Sequence, residues 1–179
     1  MKEINNIKIS RVTVDDAEGI QNLTAEASRG MYKLCGWSDK EIDDHFSTEK
    51  INCGSERLKK LIPDFTEKDI LFVAKDGYNK IIGFCFAERK DNINRVEAVY
   101  VRPDYQGTGL AQKLYYEAYN FLNQSNSTYL EVFTLNSKAI SFYKKLGYVE
   151  TGKKVLDKRF LDSTGKILEA LEMVLLCKK

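Results

Sequence analysis

Apolar residues fall at helical spacing over the first third of the chain, then switch to the spacing of strands near residue 70. Residues 7–12 alternate and predict a first strand. Thr13-Val14-Asp15-Asp16 has the form of a capping box, a threonine followed three positions on by an acid. It predicts a helix with Ile20, Leu23, Ala27 and Met31 on one stripe, weakened at Gly30. Ser38-Asp39-Lys40-Glu41 is a second box, opening a helix that carries Ile42 and Phe46. A third helical stretch with Leu58, Leu61 and Ile62 stops at Pro63, which lacks a donor. Residues 70–74 and 81–88 then read as strands around the turn Asp76-Gly77-Tyr78-Asn79. A central strand over 96–101 follows, then a helix over about 109–123 and a strand over 129–133. A helix begins at Asn136. Two last strands, from Tyr148 and over 168–176, flank the polar loop Asp162-Ser163-Thr164-Gly165. No repeat or Pro/Gly/Ser-rich linker interrupts the pattern, so residues 1–179 read as a single domain with a full core.

One junction stands out. Residues 96–111 read VEAVYVRPDYQGTGLA: a β-branched strand, a turn at Arg102-Pro103-Asp104, two glycines, and a helix start on the stripe Leu110, Leu114, Ala118. Glycines there let backbone N–H groups turn toward one point. The new helix adds unsatisfied donors and the positive end of its dipole. This is a phosphate-binding geometry. The Walker pattern needs a lysine and a hydroxyl after the last glycine, where Leu110 and Ala111 stand. The dinucleotide fingerprint needs a small residue where Gln112 stands. Both readings fail.

Composition narrows the rest. Charged residues make up 30% and hydrophobic ones 43%, the balance of a globular domain, and the net charge of +2 provides no electrostatic case for nucleic acid or an anionic membrane. The longest apolar run, 81–87, is too short to span a bilayer, and the N-terminal stretch has no hydrophobic signal region. A cytoplasmic location is the expectation. Cys35, Cys53, Cys85 and Cys177 lie at no metal-ligand spacing and are expected as free thiols. The single histidine, His45, has no partner for a zinc site and no Gly-x-Ser-x-Gly elbow to serve, so it reads as a helix-surface residue, and no metal is expected.

What does fit the junction is Gln-x-x-Gly-x-Ala, Gln106 through Ala111, behind a strand ending Val-x-Pro. It resembles the pyrophosphate loop of the GNAT N-acetyltransferase family. A second stretch, NSKAISFYKKLGY over 136–148, is a short helix with an Asn136 N-cap, Lys144 and Lys145 in its last turn, and Gly147 as its stop. It resembles the family's Asn-x-x-Ala-x-x-x-Tyr motif beside the pantetheine arm. The resemblance implies an α/β fold: a mixed, mostly antiparallel sheet of six to seven strands, helices on both faces, and two middle strands splayed apart. It implies acetyl-CoA held by Val99, Tyr100 and Val101, by Gln106, Gly107, Thr108, Gly109, Leu110, Ala111 and Gln112, and by Asn136, Ala139 and Tyr143. A homodimer is also in keeping with the family.

Acetyl transfer to an amine requires a base, an oxyanion donor and an acid for the leaving sulfur. The resemblance assigns the acid to Tyr143 and the base, through water, to Glu97, which polyamine-type members carry at this position. Strand alternation would place Glu97 and Val99 on one face, and the backbone N–H of Val99 is the expected oxyanion donor. An acidic cluster, Asp39, Glu41, Asp43 and Asp44, favours a small cationic acceptor such as a spermidine- or spermine-like polyamine. Acetylation of a protein or peptide amine, a catalytically silent acyl-CoA-binding regulator, and an interaction module without a ligand are the alternatives.

Overall fold

Side-chain caps decide where the first helices begin. In the computed structural model, which describes residues 6–177 (the side chains of 157–160 excepted), Thr13 donates from its backbone N and its Oγ1 to Asp16 Oδ2 at 2.9 and 3.0 Å. A short 3₁₀ turn leads from there into α1 (Ala17–Leu34), whose Ile20 and Leu23 are buried. Ser38 donates in the same way from N and Oγ to Glu41 Oε2 at 2.8 and 2.6 Å and opens α2 (Asp39–His45). The third helix, α3 (Thr48–Leu61), passes into the turn that holds Pro63.

Among the described residues seven strands follow the expected order: β1 (Lys8–Arg11), β2 (Asp69–Lys75), β3 (Ile81–Arg89), β4 (Asn94–Val101), β5 (Thr128–Phe133), β6 (Val149–Leu161) and β7 (Ile167–Leu175). They form one sheet ordered β1-β2-β3-β4-β5-β7-β6, in which β4 and β5 are the parallel neighbours and the other pairs are antiparallel. The helices α4 (Leu110–Tyr119) and α5 (Ser137–Lys145) cover one face, packing Leu110, Leu114 and Tyr143 against Cys85, Val96, Val101 and Leu130. α1 covers the other, against Leu71, Val73 and Phe84. This is the mixed, mostly antiparallel α/β architecture expected.

Several boundaries differ from the sequence reading, each for a local reason. α4 stops at Tyr119 rather than near Asn123, because Phe121 and Leu122 donate to Ala118 O and Tyr119 O and tighten the chain into turns. β4 starts two residues early, at Asn94, which the hydrophobic pattern cannot register. Asn94 is almost fully buried. Its Nδ2 donates to Asn123 O (2.8 Å) and Asn126 O (3.2 Å), and its Oδ1 accepts from Asn123 N. α5 ends as expected: Gly147 adopts φ 94°, Gly147 N donates to Lys144 O and Tyr148 N to Tyr143 O, the paired bonds of a Schellman motif.

Candidate active site

β4 and β5 pair only over Asn94↔Thr128, Arg95↔Tyr129 and Val96↔Leu130. Beyond Val96 the strands part, leaving the second half of β4 hydrogen-bonded to β3 alone among the described residues. The register shows which groups this exposes. Arg102 N donates to Ile82 O at 2.9 Å, so by antiparallel alternation Tyr100 and Ala98 also turn their backbone groups toward β3. The N–H and C=O groups of Val99 and Val101 therefore point into the gap. Tyr100 does not join them: its ring stacks on Phe84 (centroids 5.2 Å apart) on the α1 face. That departs from the expected coenzyme set.

The glycine loop stands at the end of this gap. Gly107 and Gly109 adopt φ of 78° and 85°, and a Cβ added to either would meet nothing within 4 Å. Gln106 N is taken by Pro103 O (3.1 Å), and Thr108 Oγ1 donates to Tyr105 O at 2.6 Å, which pins the turn from within. The first backbone bond of α4 is Lys113 N to Gly109 O (3.0 Å). Among the described residues the amides of Gly109, Leu110, Ala111 and Gln112 therefore remain the free N-terminal donors of a helix. Leu110 is buried and offers only its amide, whereas Gln112 is exposed. The open loop and the unpaired strand edge fit the phosphates and the amide-rich arm of a coenzyme A.

From α5, Asn136 Oδ1 accepts Ala139 N at 3.1 Å, so this oxygen serves as the helix cap, while Ala139 packs on the core. Tyr143 is buried, its ring edge-on to Tyr148 (5.7 Å). Tyr115 and Tyr148 share a hydroxyl contact of 3.1 Å, but the Tyr143 hydroxyl has no hydrogen-bond partner among the described residues. Burial pushes its phenol well above the usual range, keeping it protonated and able to donate.

Glu97 departs from the expected geometry. Phe86 pairs with Ala98 but Ala87 pairs with Val96, so Glu97 is the extra residue of a β-bulge. The bulge breaks the alternation. Val96 and Val99 both pack toward α4, while the Glu97 carboxylate turns to the opposite face and accepts Arg95 Nε at 3.1 Å. Arg95 Nη2 also donates to Glu131 Oε1 at 2.9 Å on β5. Burial works against the Arg95 charge, but the two carboxylates outweigh it and hold the guanidinium above its ordinary value. Arg95 and Glu131 escaped the sequence reading. The charged alternation Arg95-x-Glu97 was visible, yet Glu131 joins it only through the register between β4 and its expected neighbour β5.

α1 roofs this face of the gap. At one end Arg102 Nη2 donates to Glu26 Oε1 at 2.6 Å. At the other, Ser163 N donates to Cys35 O (3.1 Å) and Trp37 Nε1 to Leu161 O (3.0 Å), tying the α1–α2 connection to the β6–β7 turn. His45 is only partly exposed. It lies half-buried, its Nε2 3.0 Å from Tyr32 Oη and its ring 4.7–5.4 Å from those of Tyr32, Trp37 and Phe46. The acidic cluster is also less open than its sequence suggests. Asp43 and Asp39 pair with Arg29 (2.7 and 3.4 Å), Asp39 also pairs with Lys33 (2.9 Å), and Glu41 caps α2.

Residues 67–150 match the sequence profile of the acetyltransferase (GNAT) domain. This segment is a GNAT acetyltransferase domain. The chain is 27% identical over 106 residues to the peptidyl-lysine N-acetyltransferase YjaB of Salmonella typhimurium, covering 59% of this chain and 68% of that protein. It is 31% identical over 81 residues to the uncharacterized N-acetyltransferase ycf52 of Pyropia yezoensis, and there spans 45% of its own length and 46% of the algal protein. The PaiA N-acetyltransferase of Thermoplasma acidophilum, solved with coenzyme A, shares the fold at a TM-score of 0.66 and 21% identity, over 93% of this chain and 97% of that one. The likeness of fold thus extends well beyond the matched segment, over 93% of the chain. Among the described residues no group of three or more His, Cys, Asp or Glu is placed to hold a metal, and no helix is long and apolar enough to cross a membrane.

Proposed function

We propose that this chain transfers the acetyl group of acetyl-CoA to a primary amine on an aminoalkyl arm, by direct attack while both substrates are bound. The observation that carries the reading is the half-paired β4, whose gap-facing Val99 and Val101 lead straight into an open glycine loop. Acetyl-CoA, when bound, supplies an activated thioester. The loop and α4 amides grip its phosphates, and the edge of β4 pairs with its amide-rich arm as an added strand would. Val99 N–H donates to the acetyl oxygen as charge builds there. Glu97 accepts the proton of the incoming ammonium through water, since an alkylamine near pKa 10.4 is otherwise charged at neutral pH. Tyr143 donates its proton to the departing sulfur.

An aminoalkyl arm is common to a polyamine and a lysine side chain. Arg29 and Lys33 pair with Asp39 and Asp43, which weakens the pull of the acidic stretch on an extended polycation without cancelling it. The test is release of free thiol from acetyl-CoA with spermidine, a lysine-containing peptide and a peptide with a free N-terminus as acceptors. The reading expects release with spermidine or the lysine peptide, and their ratio identifies the natural arm. A thermal shift with acetyl-CoA but no thiol release would leave an acyl-CoA-binding regulator. No thermal shift would remove coenzyme binding altogether.

A further inference from the structure

Arg95 sits next to the last paired rung of β4 and β5, opposite Tyr129. Its one guanidinium serves both strands, through Nη2 to Glu131 Oε1 (2.9 Å) and through Nε to Glu97 Oε1 (3.1 Å). The three side chains are only 22–33% exposed, so water screens them incompletely. Without the guanidinium two carboxylates would face each other across the point where the strands part, and like charges on neighbouring strands repel. Glu97 is also the bulged residue, which the ladder itself leaves least constrained. Its Oε1 is held by Arg95, while Oε2 has no partner among the described residues.

We propose that Arg95 is a positioning residue for the transfer: it clips β4 to β5 where the gap begins and fixes Glu97 by one oxygen, leaving the other toward the acceptor. A planar guanidinium can hold two carboxylates in a set geometry, whereas a lysine offers a single point charge. This role rests on the acetyltransferase reading.

Steady-state kinetics of the wild type, Arg95→Gln, Arg95→Lys and Glu97→Gln, with spermidine and the lysine-containing peptide as acceptors, test it. Arg95→Gln should lower kcat about 10- to 100-fold, as loss of catalytic alignment does. The KM for acetyl-CoA should stay within about twofold, because the phosphate loop is untouched. Arg95→Lys should recover only part of the loss. Unchanged kcat in Arg95→Gln, a loss confined to the KM for acetyl-CoA, or full activity in Arg95→Lys would overturn the role. If Arg95→Gln does not fold, Arg95→Lys decides alone. Failure of the underlying reading looks different: neither acceptor is turned over by the wild type, or Glu97→Gln keeps full turnover.

Discussion

The two halves of β4 share one strand and face opposite circumstances. Asn94, Arg95 and Val96 are paired on both edges, tied below by the Asn94 hydrogen bonds and across by the Arg95 clip. Among the described residues Val99 and Val101 are paired on one edge only. Buried backbone groups are normally satisfied, and leaving them open is costly. The first half is therefore structural. Under the proposed function the second half carries the chemistry, because what it lacks in the protein a ligand can supply.

Proline substitutions separate the halves most sharply. Val96→Pro should destabilise the chain by at least roughly 1–3 kcal/mol, because proline removes a ladder donor and leaves a buried carbonyl unsatisfied. Val99→Pro removes a donor that faces the gap rather than β3. It should disturb the melt less, yet lower kcat about 10²- to 10³-fold, the loss typical of an oxyanion donor. Urea melts and thiol-release assays on both variants check this. If Val99→Pro unfolds as readily as Val96→Pro, the two halves are not different. Next comes Tyr143→Phe, expected to reduce kcat about 100-fold with little movement of the melt, since its hydroxyl bonds to nothing among the described residues. A smaller effect is expected from Gly109→Val. A φ of 85° strains a branched residue by about 1–2 kcal/mol, and acetyl-CoA affinity by calorimetry should weaken about tenfold.

Much of this site was legible in the residues, for a physical reason. The glycine loop and both capped helices are local devices, and each is specified by neighbours a few positions apart. What escaped depends on contacts between distant segments. Glu97 was expected beside Val99 because strands alternate, but a bulge needs the opposing strand to define it. Glu131 meets Arg95 across 36 positions, through a parallel pairing no short-range signal encodes. His45 gave no warning of burial because α2 is only seven residues long and turns one buried apolar residue, Ile42, inward. The ion pairs of the acidic stretch were not legible because its cations, Arg29 and Lys33, lie on the preceding helix.

The smallest expected effect lies on the aromatic wall under α1. Burial, with help from the Lys50 charge, lowers the His45 pKa below its ordinary value, so the neutral ring is the native form. Stability from this group is complete above the unfolded value of about 6.5 and is lost as pH falls through the lower folded value. His45→Gln should flatten that acid-side decline in melts taken between about pH 7 and 5. An unchanged slope would mean that the ring titrates as it does in the unfolded chain.

The most direct measurement is amide hydrogen exchange with and without acetyl-CoA. Binding should slow exchange at Val99, Val101 and residues 107–111, while Arg95 and Val96, already paired on both edges, change little. Unaltered exchange at Val99 and Val101 in a chain that demonstrably binds acetyl-CoA would contradict this, because the open half of β4 would then be holding nothing.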